Sequence, residues 1–418
     1  MTVFPRYVAP AGAPISTADL LGWARSAADA RSGAAALRQA LRRRFGDRHF
    51  VLTSTGRAGV TLLLRALRRL APPGRDEVVV PSYTCYSVAA SAVKAGLKVR
   101  IVDIDPATLD FDRQALADTD LRRVLAIVAT NLYGWPNDMV ALTALARDRG
   151  IFLIDDAAQS MGATVDGRPS GLWGDAGLFS FDKGKNVCAI DGGVLVTASA
   201  DVAAALRAEA ASLTPPSLAT SGGHVVKALA YYALLRPAAY GLATRLPGLG
   251  LGRTMFTTDY PVAGPDPRLS ALAAVMLPRL DEFLAVRQAN AETLLSLVRR
   301  LPGVHTICAG RHATPAYLRL PLLLESEQTR DHAIAVLTGA GLGATRSYPL
   351  SLADVPELQP SLVPDPRPLD GGRQVARTIV TLPTHPFVAA DDIRRIGALL
   401  QATLTLPREA AALAARAT

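Results

Sequence analysis

The sequence predicts an α/β protein, with a large domain on a mainly parallel sheet wrapped by helices and a smaller α+β unit after it. Three observations predict this class. Between Arg48 and Thr197, short uniformly apolar runs alternate with longer amphipathic ones. Apolar residues make up 50% of the chain against 19% charged, enough to bury a large core. A length of 418 residues exceeds what one small module needs.

In chain order, Val78–Val80 ends at Pro81, Val99–Val102 at Asp103, Leu125–Val128 near Asn131, and Ile151–Ile154 at Asp155. Gly193–Val196 comes after a later glycine pair. Apolar runs this short suit strands buried on both faces. Ser87–Ala95 and Met139–Arg149 read as helices between them. Leu269–Leu301 reads as one long helix that could join two domains, placing a large domain at 1–290 and a small one at 291–418. In the latter, Ala316–Leu324 and Thr378–Leu382 read as strands, and Glu327–Gly339 and the stretch from Asp391 as helices.

Composition narrows the partners. Lys and Arg number 45 against 36 Asp and Glu, a net charge of +9 that suits an anionic partner without choosing one. Arg42, Arg43 and Arg44, like Arg65, Arg68 and Arg69, fall in helix-like stretches with no interleaved aromatics, so solvated faces are expected and nucleic acid is not. Cys85, Cys188 and Cys308 form no CxxC pair, which argues against a disulfide framework or a thiolate metal site. No signal-peptide core opens the chain. Val225–Leu246, its most membrane-like stretch, is interrupted by Lys227, Arg236 and Pro237, and a cytoplasmic protein without a membrane span is expected.

Ligands of open α/β sheets bind at the carboxyl ends of strands, so the polar residues after the apolar runs are the candidates for chemistry. Ser54-Thr55-Gly56-Arg57-Ala58-Gly59 precedes the apolar helix Val60–Leu70. Such a turn offers free N–H groups and a positive dipole end to a phosphate, although it also serves as an ordinary N-cap. Asp155-Asp156-Ala157-Ala158-Gln159 closes the run from Ile151; its carboxylates need a cation or hydrogen-bond donors, or cap the next helix. The segment from Gly177 to Asn186 brings Lys183 and Lys185 to a sheet end, with Asp191-Gly192-Gly193 after it. Either lysine could be a Schiff-base nucleophile or an ordinary loop residue. A phosphate cradle, a carboxylate for a pyridine nitrogen and a lysine for an aldehyde are together what a pyridoxal 5′-phosphate site requires. Ser180, five positions before Lys185, adds a further phosphate ligand.

At these residues the chain resembles a known family. Pro81-Ser82-Tyr83-Thr84, Val102-Asp103-Ile104-Asp105-Pro106, Leu132-Tyr133-Gly134 with Pro136 and Asp138-Met139, Asp156-Ala157-Ala158-Gln159, and Phe179-Ser180-Phe181 with Lys185-Asn186 are similar to signatures of the DegT–DnrJ–StrS sugar-nucleotide aminotransferases. Tyr348-Pro349 and Leu382-Pro383-Thr384-His385-Pro386 resemble landmarks of the family's small domain. The resemblance implies the fold-type-I architecture of pyridoxal-phosphate enzymes, with a mostly parallel seven-stranded sheet, and a homodimer. It implies Lys185 as the catalytic lysine, Asp156 at the pyridinium nitrogen and Gln159 near the ring hydroxyl. Ser180 and the backbone at Gly56, Arg57 and Ala58 would hold the phosphate. The expected reaction moves an amino group from glutamate to a nucleotide-linked keto-sugar. The alternatives are a sugar dehydratase on the same scaffold, in which histidine typically replaces the lysine, and a non-catalytic regulator or scaffold.

The chain departs from the family pattern at four places. Arg57 stands where a threonine is usual, and its guanidinium could contact a phosphate or point to solvent. Cys85 stands where an aromatic usually stacks on the cofactor ring, leaving the adjacent Tyr86 as a substitute. Asn131 opens the motif that usually begins with histidine. Asp266-Pro267-Arg268 replaces an Asn-x-Arg motif whose asparagine reaches the partner's phosphate, which sets a carboxylate beside an anion unless Arg57 compensates. A basic, apolar insertion at about 213–265, including Arg245 to Gly252, reads as a flap over the site or a dimer surface, with peripheral membrane contact as the alternative.

Overall fold

The computed structural model describes residues 6–27, 32–243 and 255–405. Seven strands form the main sheet: β1 (His49–Thr53), β2 (Glu77–Pro81), β3 (Lys98–Val102), β4 (Val124–Thr130), β5 (Phe152–Asp156), β6 (Ala176–Ser180) and β7 (Gly193–Thr197). Their order is β1-β7-β6-β5-β4-β2-β3, and only β7 runs against the others. Every residue of β2, β4, β6 and β7 is buried, because helices cover both faces of the sheet.

All five apolar runs form strands. Sequence reading missed β1 and β6. The first opens on the exposed His49 and keeps only Phe50–Leu52 as an apolar run, and the second is interrupted by Gly177. Helices packed against the sheet include α1 (Gly56–Leu70), α2 (Tyr86–Lys94) and α3 (Met139–Arg149).

The insertion folds in part as α4 (Leu218–Leu234), with a short helix Pro237–Ala243 after it. One side of α4 packs inward: the Tyr231 phenol accepts from the Ala13 amide at 3.1 Å, and the Tyr232 and Thr17 hydroxyls lie 2.9 Å apart. The other side exposes Leu218, Val226, Leu229 and Leu234. The part of the insertion that spans Arg245 to Gly252 lies outside the described residues.

The long helix expected over Leu269–Leu301 is two helices, α5 (Pro267–Met276) and α6 (Leu280–Val298), separated by a 3₁₀ turn at Leu277–Arg279. Pro278 in that turn has no N–H to continue the ladder. Position 290 falls inside α6, where buried Arg287 donates to the carbonyls of Gly12 (2.6 Å) and Leu318 (3.0 Å). Beyond α6 stands a second, antiparallel sheet of β8 (Val304–Thr306), β9 (Arg319–Leu324) and β10 (Ile379–Pro383), with α7 (Glu327–Gly339) and α8 (Ala390–Thr405).

Candidate active site

β1, β5 and β6 run the same way, so their carboxyl ends meet on one edge of the sheet. There they enclose a cavity of about 440 Å³, a size ordinary for a small-molecule site. Gly56, Arg57, Cys85, Asp156, Gln159, Ser180 and Lys185 all line it. Residues from four separate segments, distant in sequence, thus face a single space.

Each wall has a local cause. Thr55 caps α1 by accepting from the Ala58 amide at 3.0 Å. The amides of Gly56 and Arg57 belong to the same first turn, where the positive end of the helix dipole faces the cavity. A Cβ on Gly56 would stand 3.3 Å from Ser180 Oγ, so the glycine keeps a cradle open between α1 and β6.

At the end of β5 the adjacent aspartates separate, because successive strand residues face opposite ways. Asp155 faces away from the cavity and accepts from the Asn131 side-chain amide (2.7 Å) and the backbone amides of Gly171 (2.6 Å) and Trp173 (3.1 Å). Burial pushes its carboxyl up to about 7 against those three donors. Asp156 lines the cavity. Burial raises its carboxyl, opposed by the Ala158 N–H and the positive charge of Lys185.

The lysines lie on a tight excursion between β6 and β7. The Phe181 amide donates to the Gly192 carbonyl at 3.0 Å and the Ala189 amide to the Phe181 carbonyl at 2.8 Å, closing the loop at its base. Asn186 anchors the residue after Lys185 by donating to the Met161 carbonyl at 2.9 Å. Lys183 and Lys185 both line the cavity, but their electrostatic partners differ. Lys185 acts on Asp156, whereas Lys183 acts on Asp191, which burial and then Asp182 push up to about 6.

Gln159 is held at both ends: its carbonyl accepts from the Tyr133 amide at 3.0 Å, and its NH₂ donates to the Tyr348 phenol at 2.9 Å. It therefore presents a fixed amide to the cavity. Ala58 and Tyr86 do not line the cavity, unlike the other residues expected at the site. Ala58 is fully buried behind the first turn of α1. Cys85 is the N-cap of α2 and Tyr86 its first residue, and of the two only Cys85 lines the cavity. The Tyr86 phenol accepts from the Leu350 amide at 2.8 Å, and its ring packs on Tyr348.

Asp266, at the position expected to reach the partner's phosphate, is engaged by groups of its own chain. Its carboxylate caps α5 by accepting from the Arg268 amide (2.8 Å), and it is further satisfied by Ser221 Oγ (2.8 Å) and His224 Nδ1 (2.7 Å). Burial opposes its ionisation, but the His224 and Ser221 hydrogen bonds hold the carboxyl below its ordinary value. Arg57 faces the ring of Tyr260 instead, with its Cζ 5.0 Å from the centroid.

Sequence reading missed Ser87, Thr130, Met255 and Thr257, which also line the cavity. Thr130 ends β4, and its place at a strand's carboxyl end was the available signal. Its hydroxyl is buried and has no hydrogen-bond partner among the described residues. A buried polar atom left unpaired beside a cavity fits a site built for a polar ligand.

Comparison with known proteins points the same way. The profile of the DegT/DnrJ/EryC1/StrS aminotransferase family matches residues 30–401. A GDP-4-keto-6-deoxy-D-mannose 3-dehydratase of Yersinia pseudotuberculosis is 34% identical over 37% of this chain and 40% of its own length. The chain thus spans about two fifths of that relative. A UDP-2-acetamido-2-deoxy-3-oxo-D-glucuronate aminotransferase of Pseudomonas aeruginosa is 29% identical over 78% of this chain and 79% of its own. The crystal structure of DesI with its TDP-sugar product superposes with a TM-score of 0.75 at 27% identity, covering 97% of this chain and 95% of that one.

Proposed function

We propose, because the chain belongs to the DegT/DnrJ/EryC1/StrS aminotransferase family, that it moves an amino group from glutamate to a keto-sugar linked to a nucleotide. The cofactor is pyridoxal 5′-phosphate. One observation carries the reading: Lys185 and Asp156 line the same cavity, and the charge of the first acts on the carboxylate of the second.

The donor set fits this cofactor. The first turn of α1, Ser180 and Arg57 would hold its phosphate, Asp156 its protonated ring nitrogen, and Lys185 its aldehyde carbon. When bound, the cofactor supplies an electron-accepting ring next to the reacting carbon. The chain's own residues do the rest. Nζ of Lys185 would carry a proton from the donor's α-carbon to the cofactor's aldehyde carbon in the first half-reaction, and from that carbon to the acceptor carbon in the second. The Asp156 carboxylate stabilises positive charge at the ring nitrogen, and the rigid Gln159 amide keeps that face of the cavity in place.

A nucleotide-linked sugar is supported by the names of the Pseudomonas relative and of the DesI complex. The name of the Yersinia relative raises dehydration as the second reading. Lys185 speaks against it, since an amine stands where that chemistry is expected to have histidine. We place the protein as a homodimer, supported by the exposed apolar side of α4. Among the described residues, no helix is long and apolar enough to cross a membrane.

Adding L-glutamate to the purified holoprotein tests the reading. The expected result is a change in the bound cofactor's absorbance with release of 2-oxoglutarate, and then amination of a nucleotide-linked keto-sugar. An unchanged spectrum with every amino-acid donor refutes it.

A further inference from the structure

Tyr260 belongs to no motif, yet it is tied to both helices beside the cavity. Its hydroxyl lies 2.8 Å from Thr61 Oγ1 on α1 and 3.2 Å from Ser91 Oγ on α2. Two cations face its ring: the Arg57 guanidinium, 5.0 Å from the centroid, and the Lys94 ammonium, at 4.7 Å. Lys94 is otherwise engaged. It donates to the Thr258 carbonyl at 2.8 Å and occupies the last turn of α2, where the helix dipole favours a cation. Arg57 has no ion pair among the described residues and lines the cavity at the first turn of α1.

From this arrangement we infer that Tyr260 is a positioning residue, whose ring holds the Arg57 guanidinium at the anion-binding end of the cavity, where it meets the phosphate ester of the cofactor. This rests on the cofactor reading above. An arginine loses considerable rotamer freedom when it is fixed in one geometry. A phenol anchored by two hydroxyls bears that cost before any ligand arrives. The ring's electron-rich face attracts the guanidinium without neutralising it, leaving its N–H groups free for an anion. A carboxylate in the same place would hold Arg57 more tightly but would cancel the charge the phosphate needs.

The test compares pyridoxal 5′-phosphate with pyridoxal, which lacks the phosphate, binding to the full-length apoprotein, and reads the dissociation constant of pyridoxal divided by that of pyridoxal 5′-phosphate. Tyr260→Leu is expected to lower that ratio about tenfold by weakening the phosphorylated ligand alone. Tyr260→Phe keeps the ring but loses both hydroxyl anchors, and is expected to lower the ratio by less than Tyr260→Leu does. Arg57→Gln is expected to lower the ratio as far as Tyr260→Leu does, and the double variant no further than Arg57→Gln alone, since both act through one contact. Equal weakening of both ligands by Tyr260→Leu, or additive effects in the double variant, would overturn the inference. Should Tyr260→Leu not fold, Arg57→Gln decides. A ratio left unchanged, with binding of the nucleotide-linked acceptor weakened instead, assigns Arg57 to the acceptor's phosphates and overturns it. A wild-type protein that binds neither pyridoxal compound sinks the cofactor reading itself, and the inference with it.

Discussion

Gly56 and Ser180 approach so closely that a methyl group on the first would stand 3.3 Å from the hydroxyl of the second. The beginning of α1 and the end of β6 therefore form one corner of the cavity, which a side chain at position 56 would crowd. Gly56→Ala is expected to weaken pyridoxal 5′-phosphate binding by about tenfold or more, the cost of roughly one charge-assisted hydrogen bond. Alanine suits a helix's first turn, so thermal stability should change little. Titration of the apoprotein with the cofactor, beside a melting curve, checks both statements.

Lys183 and Lys185 both reach the cavity, but only Lys185 acts on Asp156. Lys185→Ala is expected to remove the absorbance of covalently held cofactor and lower turnover by at least about a thousandfold. Lys183→Ala should keep that absorbance. The absorption spectra of the two purified variants are enough to decide, and the reverse pattern would assign the chemistry to Lys183.

Much of this site was legible in the sequence. Asp156, Gln159, Ser180 and Lys185 sit in short contiguous motifs after buried strands, and the strand direction alone brings them to one edge. Tyr86 and Asp266 follow a different logic. Whether Tyr86 faces the cavity depends on where α2 begins, and Cys85 takes the cap. Asp266 finds its partners on α4, part of an insertion that no motif describes. Tyr260 was invisible for a related reason. Its hydroxyl partners lie 199 and 169 residues away in sequence, so no local pattern announces the contact.

The outer side of α4 exposes Leu218 at 83% and Val226 at 65%, with Leu229 and Leu234 also exposed. The homodimer proposed above would cover a stripe of this kind. Replacing Val226 and Leu229 together with aspartate puts charge on that side without disturbing the inward contacts of Tyr231 and Tyr232. The expected outcome is a shift from dimer to monomer in sedimentation velocity, with the fold retained. An unchanged dimer would place the interface elsewhere.

His385 ties the second sheet to the chain's beginning, and it does so as a neutral ring. Its Nε2 lies 2.8 Å from the Ala9 carbonyl, and its Nδ1 accepts from the Phe387 amide at 3.3 Å. Nε2 therefore carries the only proton. Burial pushes the imidazole down to about 3, against the pull of the Ala9 carbonyl. Its folded value lies below the ordinary 6.5, so the unfolded chain binds the extra proton first as the solution is acidified. The contribution of this residue to stability is thus complete above pH 6.5 and is lost as the pH falls toward 3, by up to about 1.4 kcal/mol per pH unit. His385→Gln keeps a donor for Ala9 but has nothing to titrate. Denaturant unfolding of both proteins across this range should show the wild type losing stability more steeply on acidification, with parallel curves above pH 7. Parallel curves over the whole range would mean that the imidazole takes up its proton as readily in the folded protein as in the unfolded chain.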